Sequence, residues 1–183
     1  MNNPLKLQAM KRVSEEFKEL SKKPLSNFGI TVGLIKEDNI FEWRCTILGP
    51  KDSVYRGGLF FLKIIFPENY PNDRPEIICT TPIYHLNINF RKCLIPLGHV
   101  CLNTINKWKK DFTINKALSE VFYLLSHNNP NSAFDYPNFS RRNEYLNNRA
   151  LFDKKAIFFT KKYANTQIAQ NEFTTEWDFT YPQ

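Results

Sequence analysis

Ile40-Phe41-Glu42-Trp43-Arg44-Cys45-Thr46-Ile47-Leu48, closed by Gly49-Pro50, is the stretch on which the fold turns. Phe41, Trp43, Cys45 and Ile47 fall on one side of an extended chain, and Glu42, Arg44 and Thr46 on the other. That period of two predicts a strand with one buried face. Gly49-Pro50-Lys51-Asp52-Ser53 then breaks it. Toward the N-terminus, the turn residues Glu37-Asp38-Asn39 join it to 28–36, which alternates through Ile30, Val32 and Leu34. Toward the C-terminus come a dense apolar run at 58–66 and a short one at 76–79 after a Pro-rich stretch. Four strands in succession, separated by short turns, predict an antiparallel meander.

Helices flank this block. Residues 5–21 place Leu5, Met10, Val13, Phe17 and Leu20 at helical spacing, with charged residues between, and Pro24 ends the pattern. A second helix starts at Thr113, a fitting N-cap, and carries Ile114, Ala117, Leu118, Val121, Phe122, Leu124 and Leu125 until His127-Asn128-Asn129-Pro130. A polar, Asn-rich segment leads to a last helix at about 147–164. Strands grouped in the middle with helices at both ends make the expected class α+β. Residues 81–111 show no sustained period, and a long irregular segment in a small domain is commonly functional.

The chain has 183 residues, 42% of them hydrophobic and 15% aromatic, which suits one folded domain with a substantial core. No apolar run approaches the roughly 20 residues that span a bilayer, and the N-terminus does not resemble a signal peptide. A cytoplasmic or nuclear protein with no membrane partner is therefore expected. The net charge is +7. Residues 166–183 hold Glu172, Glu176 and Asp178 and no Lys or Arg, so the body before them is +10. Its basic residues are scattered and no nucleic-acid motif accompanies them, so the expected partner is protein rather than nucleic acid. The expected organisation is a core at 1–165 followed by an acidic-aromatic tail at 166–183.

Four cysteines, Cys45, Cys79, Cys93 and Cys101, contain no Cys-x-x-Cys pair, and with His85 and His99 they do not reproduce a zinc-finger spacing. No metal is expected. Cys45 and Cys79 lie in apolar strand runs, where cysteine behaves as a small hydrophobe. Cys101 is different. It sits in Gly98-His99-Val100-Cys101-Leu102-Asn103, fourteen positions after Asn87 in Tyr84-His85-Leu86-Asn87. A thiol in a Gly-preceded turn, with an amide-bearing residue upstream, is suited to carrying an acyl group. Cys93 is the rival nucleophile.

Several motifs, in order, resemble those of the ubiquitin-conjugating enzyme family over about residues 5–165. They are Trp43 with Ile47-Leu48-Gly49-Pro50 and Asp52-Ser53-Val54-Tyr55-Arg56-Gly57-Gly58; Phe66-Pro67-Glu68-Asn69-Tyr70-Pro71 with Pro75; Tyr84-His85-Leu86-Asn87; the Cys101 segment; and Trp108 with Phe112-Thr113-Ile114. The resemblance implies an N-terminal helix, a four-stranded meander, an active-site loop and C-terminal helices. It also implies an activity. Cys101 would accept the C-terminal glycine of ubiquitin, or of a ubiquitin-like modifier, from an activating enzyme. It would then pass this cargo from the thioester to a substrate lysine, usually with a ligase and without a cofactor of its own. Asn87 matches the family's Asn, whose amide serves as an oxyanion donor or as a loop brace. Tyr84, His85, Leu102, Asn103 and Ser132 are the expected supports of the site, and His99 is read as a loop histidine rather than a base.

The chain departs from the family pattern in several places. Leu86 replaces a Pro. Thirteen residues separate Asn87 from Cys101, six more than usual, and the addition lies around 90–97. Asn129-Pro130-Asn131-Ser132 offers no acid where the family often has a pair, and Asn103 replaces a common Asp. Fewer carboxylates imply weaker help in deprotonating lysine, whose free pKa is about 10.4. Asn72-Asp73-Arg74 and Lys109-Lys110 replace apolar ligase-docking positions, which implies a non-standard ligase or modifier. The competing reading is a catalytically weak or silent scaffold that binds ubiquitin or partner conjugating enzymes.

Overall fold

A computed structural model describes residues 3–89, 97–131, 139–165 and 180–182. Helix α1 (Pro4–Lys22) starts with Pro4 in the first turn and Asn3 as N-cap, its side chain accepting the Leu5 N–H. Strands β1 (Ile30–Lys36), β2 (Asn39–Leu48), β3 (Leu59–Ile65) and β4 (Glu76–Cys79) follow. Among themselves they pair with sequence neighbours, all antiparallel, in the order β1-β2-β3-β4. Short helix α2 (Asn103–Asn106), then α3 (Ile114–Ser126), α4 (Phe139–Asn147) and α5 (Arg149–Tyr163), follow among the described residues. This is the expected α+β meander.

The period-two reading of β2 sets the core. Val32, Cys45, Leu62 and Cys79 form one row across the sheet, and Leu34, Trp43, Ile64 and Ile77 the next. Trp43, Cys45, Ile47, Phe60, Leu62, Ile64, Ile77 and Cys79 are all buried. Burial of side chains this size stabilises by roughly 1.5–3 kcal/mol each. The polar face of the sheet is tied by Lys63 to Glu42 at 2.6 Å.

Two expectations need correction. The buried face of α1 is Ala9, Val13, Glu16 and Leu20, whereas Leu5 and Met10 are exposed. Glu16 lies inside because its carboxylate accepts from Arg12 Nε at 2.7 Å, Tyr70 OH at 2.6 Å and the Ile114 N–H at 2.7 Å. It thereby joins α1, the 67–71 turn and α3. The other correction concerns the Asn-rich segment after Pro130, part of which is helix α4. Its periodicity is masked because its buried residue is Arg141, which lies over the Tyr84 ring at 4.0 Å.

The expected core of 1–165 holds all of these elements. Of the 166–183 tail, only 180–182 lie among the described residues, and there Tyr181 packs edge-on against Phe158 of α5, with ring centroids 5.3 Å apart.

Candidate active site

The irregular stretch after β4 is a ladder. Cys79 N–H donates to Gly98 O at 2.8 Å and Val100 N–H to Ile77 O at 3.1 Å, so 98–100 runs along the free edge of β4. On its other side Asn89 N–H donates to His99 O at 2.9 Å, Gly98 N–H to Asn89 O at 2.8 Å, and Cys101 N–H to Asn87 O at 2.7 Å. Gly98 has φ +79°, and a Cβ there would lie 2.0 Å from Cys79 O. Only glycine fits so close an approach in the left-handed region.

The upstream motif is built from the inside. His85 is fully buried; its Nδ1 accepts the Asn87 N–H at 2.9 Å, so Nε2 carries the proton toward Leu124 O at 3.0 Å. Burial first, with Arg141 adding to it, pulls this imidazole down to about 4, so it is neutral at physiological pH. Tyr55 OH donates to Tyr84 O at 2.8 Å, and Tyr84 OH donates to Glu144 Oε1 at 3.1 Å. The amide hydrogen that Leu86 supplies in place of a Pro is directed at Asn128 Oδ1 at 3.5 Å. Asn87 is buried; its Nδ2 donates to Asn129 O at 3.0 Å, and its Oδ1 accepts the Asn129 N–H at 3.1 Å. Its amide thus braces the turn after α3.

Cys101 is half-buried, whereas Cys45 and Cys79 are sealed in the core. Burial pushes the Cys45 thiol up and holds that of Cys79 at about 12. Burial also raises the Cys101 thiol, a hydrogen bond from Asn106 lowers it, and the Glu120 carboxylate raises it. That bond runs from Asn106 Nδ2 to Sγ at 3.4 Å. Leu102 is fully buried and anchors the chain beside the thiol. The Asn103 N–H donates to Glu120 Oε1 at 2.7 Å and the Thr104 N–H to Oε2 at 2.9 Å. His99 pairs by backbone with Ile78, and burial, then Arg74, lower its imidazole while Glu76 raises it.

Cys101 is thus bonded to Asn87 and Asn87 to His85, with Leu102 and Asn103 following the thiol in the chain, whereas the Tyr84 ring packs on Phe152 and Phe159 of α5. Ser132 and Cys93 lie outside the described residues. Asn106 and Glu120 were not singled out in the sequence. Neither carries a local sequence signal: α2 lies in the stretch without a period, and only the structure shows that its start behind the apolar Leu102 leaves backbone N–H groups to be satisfied from elsewhere.

A half-buried thiol is thus bonded through its backbone to an upstream asparagine, beside the last strand of a four-stranded meander. The family model for ubiquitin-conjugating enzymes matches residues 12–160, from within α1 to within α5. Members of that family are generally transferases of ubiquitin that work with activating enzymes and ligases. Motif order, sheet topology and this match agree: the chain belongs to the ubiquitin-conjugating enzyme family.

Proposed function

We propose that Cys101 carries ubiquitin or a ubiquitin-like modifier as a thioester and delivers it to lysine. In the first step Cys101 Sγ attacks the carbonyl carbon of the activating enzyme's thioester. A new C–S bond forms, the old one breaks, and the proton of Cys101 leaves with the departing thiol. In the second, a lysine amine attacks the same carbon, an isopeptide bond forms and Cys101 departs as thiolate. The amine loses its proton to solvent or to a ligase-supplied group.

The observation that carries this reading is the setting of one thiol. Among the described cysteines Cys101 alone is not sealed in the core, and its backbone is bonded to the Asn87 motif. The activating enzyme presents an already activated acyl group, so a thiol that is mostly protonated at neutral pH still reacts through its thiolate fraction. In the second step Asn87 serves as the oxyanion donor or holds the adjoining turn. Residues 1–165 are the catalytic core in this reading.

The test is charging of the purified chain with activating enzymes, ATP and a panel of modifiers. A reductant-sensitive adduct with one or more of them is expected. Absence of an adduct with every modifier would leave the silent scaffold as the better account.

A further inference from the structure

Helix α2 begins without a polar cap. Its N-cap residue is Leu102, extended at φ −113° and ψ 138° and making no side-chain hydrogen bond. Two of the N–H groups left by that start are taken by a carboxylate from another helix. Asn103 donates to Glu120 Oε1 at 2.7 Å, and Thr104 to Glu120 Oε2 at 2.9 Å. Such charge-assisted bonds, two on one carboxylate, fix direction as well as contributing energy. Glu120 stands on α3, whose Leu118, Val121, Leu124 and Leu125 are in the core, so the clamp is anchored to a rigid element. The same short helix ends at Asn106, whose amide meets Cys101 Sγ at 3.4 Å.

The sulfur is thus held from two directions. Asn87 bonds the Cys101 backbone from the N-terminal side of the ladder. From the C-terminal side the connection runs from Glu120 to the first turn of α2, then through Asn106 to Sγ. We propose that Glu120 is a positioning residue for Cys101: by clamping the first turn of α2 it keeps Asn106 against the sulfur and sets the line along which the sulfur meets an incoming acyl group. This rests on the reading of Cys101 as the acyl carrier.

The clamp has a second consequence of opposite sign. Burial raises the Cys101 thiol, the Asn106 N–H lowers it and the Glu120 carboxylate raises it; among the described residues Glu120 is the charged group that bears on it. Losing Glu120 therefore removes one influence that raises the thiol and, through the released Asn106, a larger one that lowers it.

The experiment uses the full chain as wild type, Glu120→Gln, Asn106→Ala and the double variant. Alkylation of Cys101 by iodoacetamide is followed against pH at the Cys101 peptide by mass spectrometry, with a melting curve for each protein. The midpoint is expected to move up in Asn106→Ala, while adding Asn106→Ala to Glu120→Gln should leave the Glu120→Gln midpoint where it is, because the amide contact is already lost. A further rise of the full Asn106→Ala size in the double variant would show that Asn106 stays on the sulfur without Glu120 and would overturn the proposal. Loading from the activating enzyme is then compared. Glu120→Gln is expected to load about tenfold more slowly, since misplacement alone can cost up to roughly 10² in rate. Adding Asn106→Ala to Glu120→Gln should cost little more, because the two act through one connection. Unchanged loading in Glu120→Gln, or full additivity, would also overturn the proposal. If the wild type loads no modifier at all, it is the carrier reading that has failed. The alkylation midpoints then judge the clamp alone: a double variant that titrates with Glu120→Gln supports it, and a further rise of the full Asn106→Ala size overturns it.

Discussion

The backbone N–H of Cys101 donates to the carbonyl oxygen of Asn87 at 2.7 Å, across a gap in sequence six residues longer than the family's usual one. The longer gap does not separate the two because the chain is closed before it opens. Asn89 and Gly98 are joined by the Gly98 N–H at 2.8 Å, and Asn89 N–H reaches His99 O at 2.9 Å. Extra length enters beyond those rungs. Loop-closure entropy grows only slowly with length, about 0.6 kcal/mol per doubling, so the ladder tolerates it.

Gly98 is the residue on which that ladder depends. A methyl group there would sit 2.0 Å from Cys79 O at a φ of +79°. Gly98→Ala is expected to lower the unfolding free energy by about 3 kcal/mol or more. Urea unfolding measures it, and a loss below about 1 kcal/mol would show that the edge of β4 gives way easily.

Asn87→Ala removes both bonds to Asn129. A loss of about 2 kcal/mol in stability is expected from the polar groups left behind. Charging should persist, while discharge to free lysine slows by roughly 10²–10³, the usual cost of an oxyanion donor. Single-turnover discharge of the purified thioester decides it. Wild-type discharge in the variant would leave Asn87 as a brace only.

His85 makes stability depend on pH. Its folded value of about 4 lies below the ordinary 6.5, so between the two the unfolded chain binds the extra proton. Stability is full above about 6.5 and is lost as pH falls toward 4, by about 3 kcal/mol in all. The difference between wild type and His85→Gln, by chemical unfolding at several pH values, should show that slope. A flat difference would mean that the imidazole is not held neutral.

Most of the fold was legible because its signals are local. Alternation in β2 and its neighbours, Thr113 as a cap, and Pro24 as a stop each depend on a few adjacent residues. Thr113 Oγ1 accepts the Lys116 N–H at 3.3 Å, as that position predicts. What escaped detection depends on distant partners. Glu16 reads as a solvated charge until Tyr70, Arg12 and Ile114 surround it. Arg141 hides α4 for the same reason, being a buried cation stacked on Tyr84. At the site, the sequence pointed to Cys101, Asn87 and their neighbours. It could not point to Glu120, since nothing local links it to a turn seventeen residues earlier.

The raised Cys101 thiol predicts a pH profile. Below its pKa the thiolate fraction grows tenfold per pH unit, so alkylation of Cys101 should keep rising beyond about 8.5, where an ordinary free thiol levels off. A profile that levels off at lower pH would contradict the dominance of burial and Glu120 over Asn106.

The identity of the thiol that carries the modifier is tested most directly by charging Cys101→Ser and Cys93→Ser side by side with the wild type. The adduct is then mapped by mass spectrometry before and after reductant. The expected result is a reductant-sensitive adduct on wild type and Cys93→Ser, absent from Cys101→Ser. A reductant-sensitive adduct that survives Cys101→Ser, or disappears with Cys93→Ser, would contradict the account.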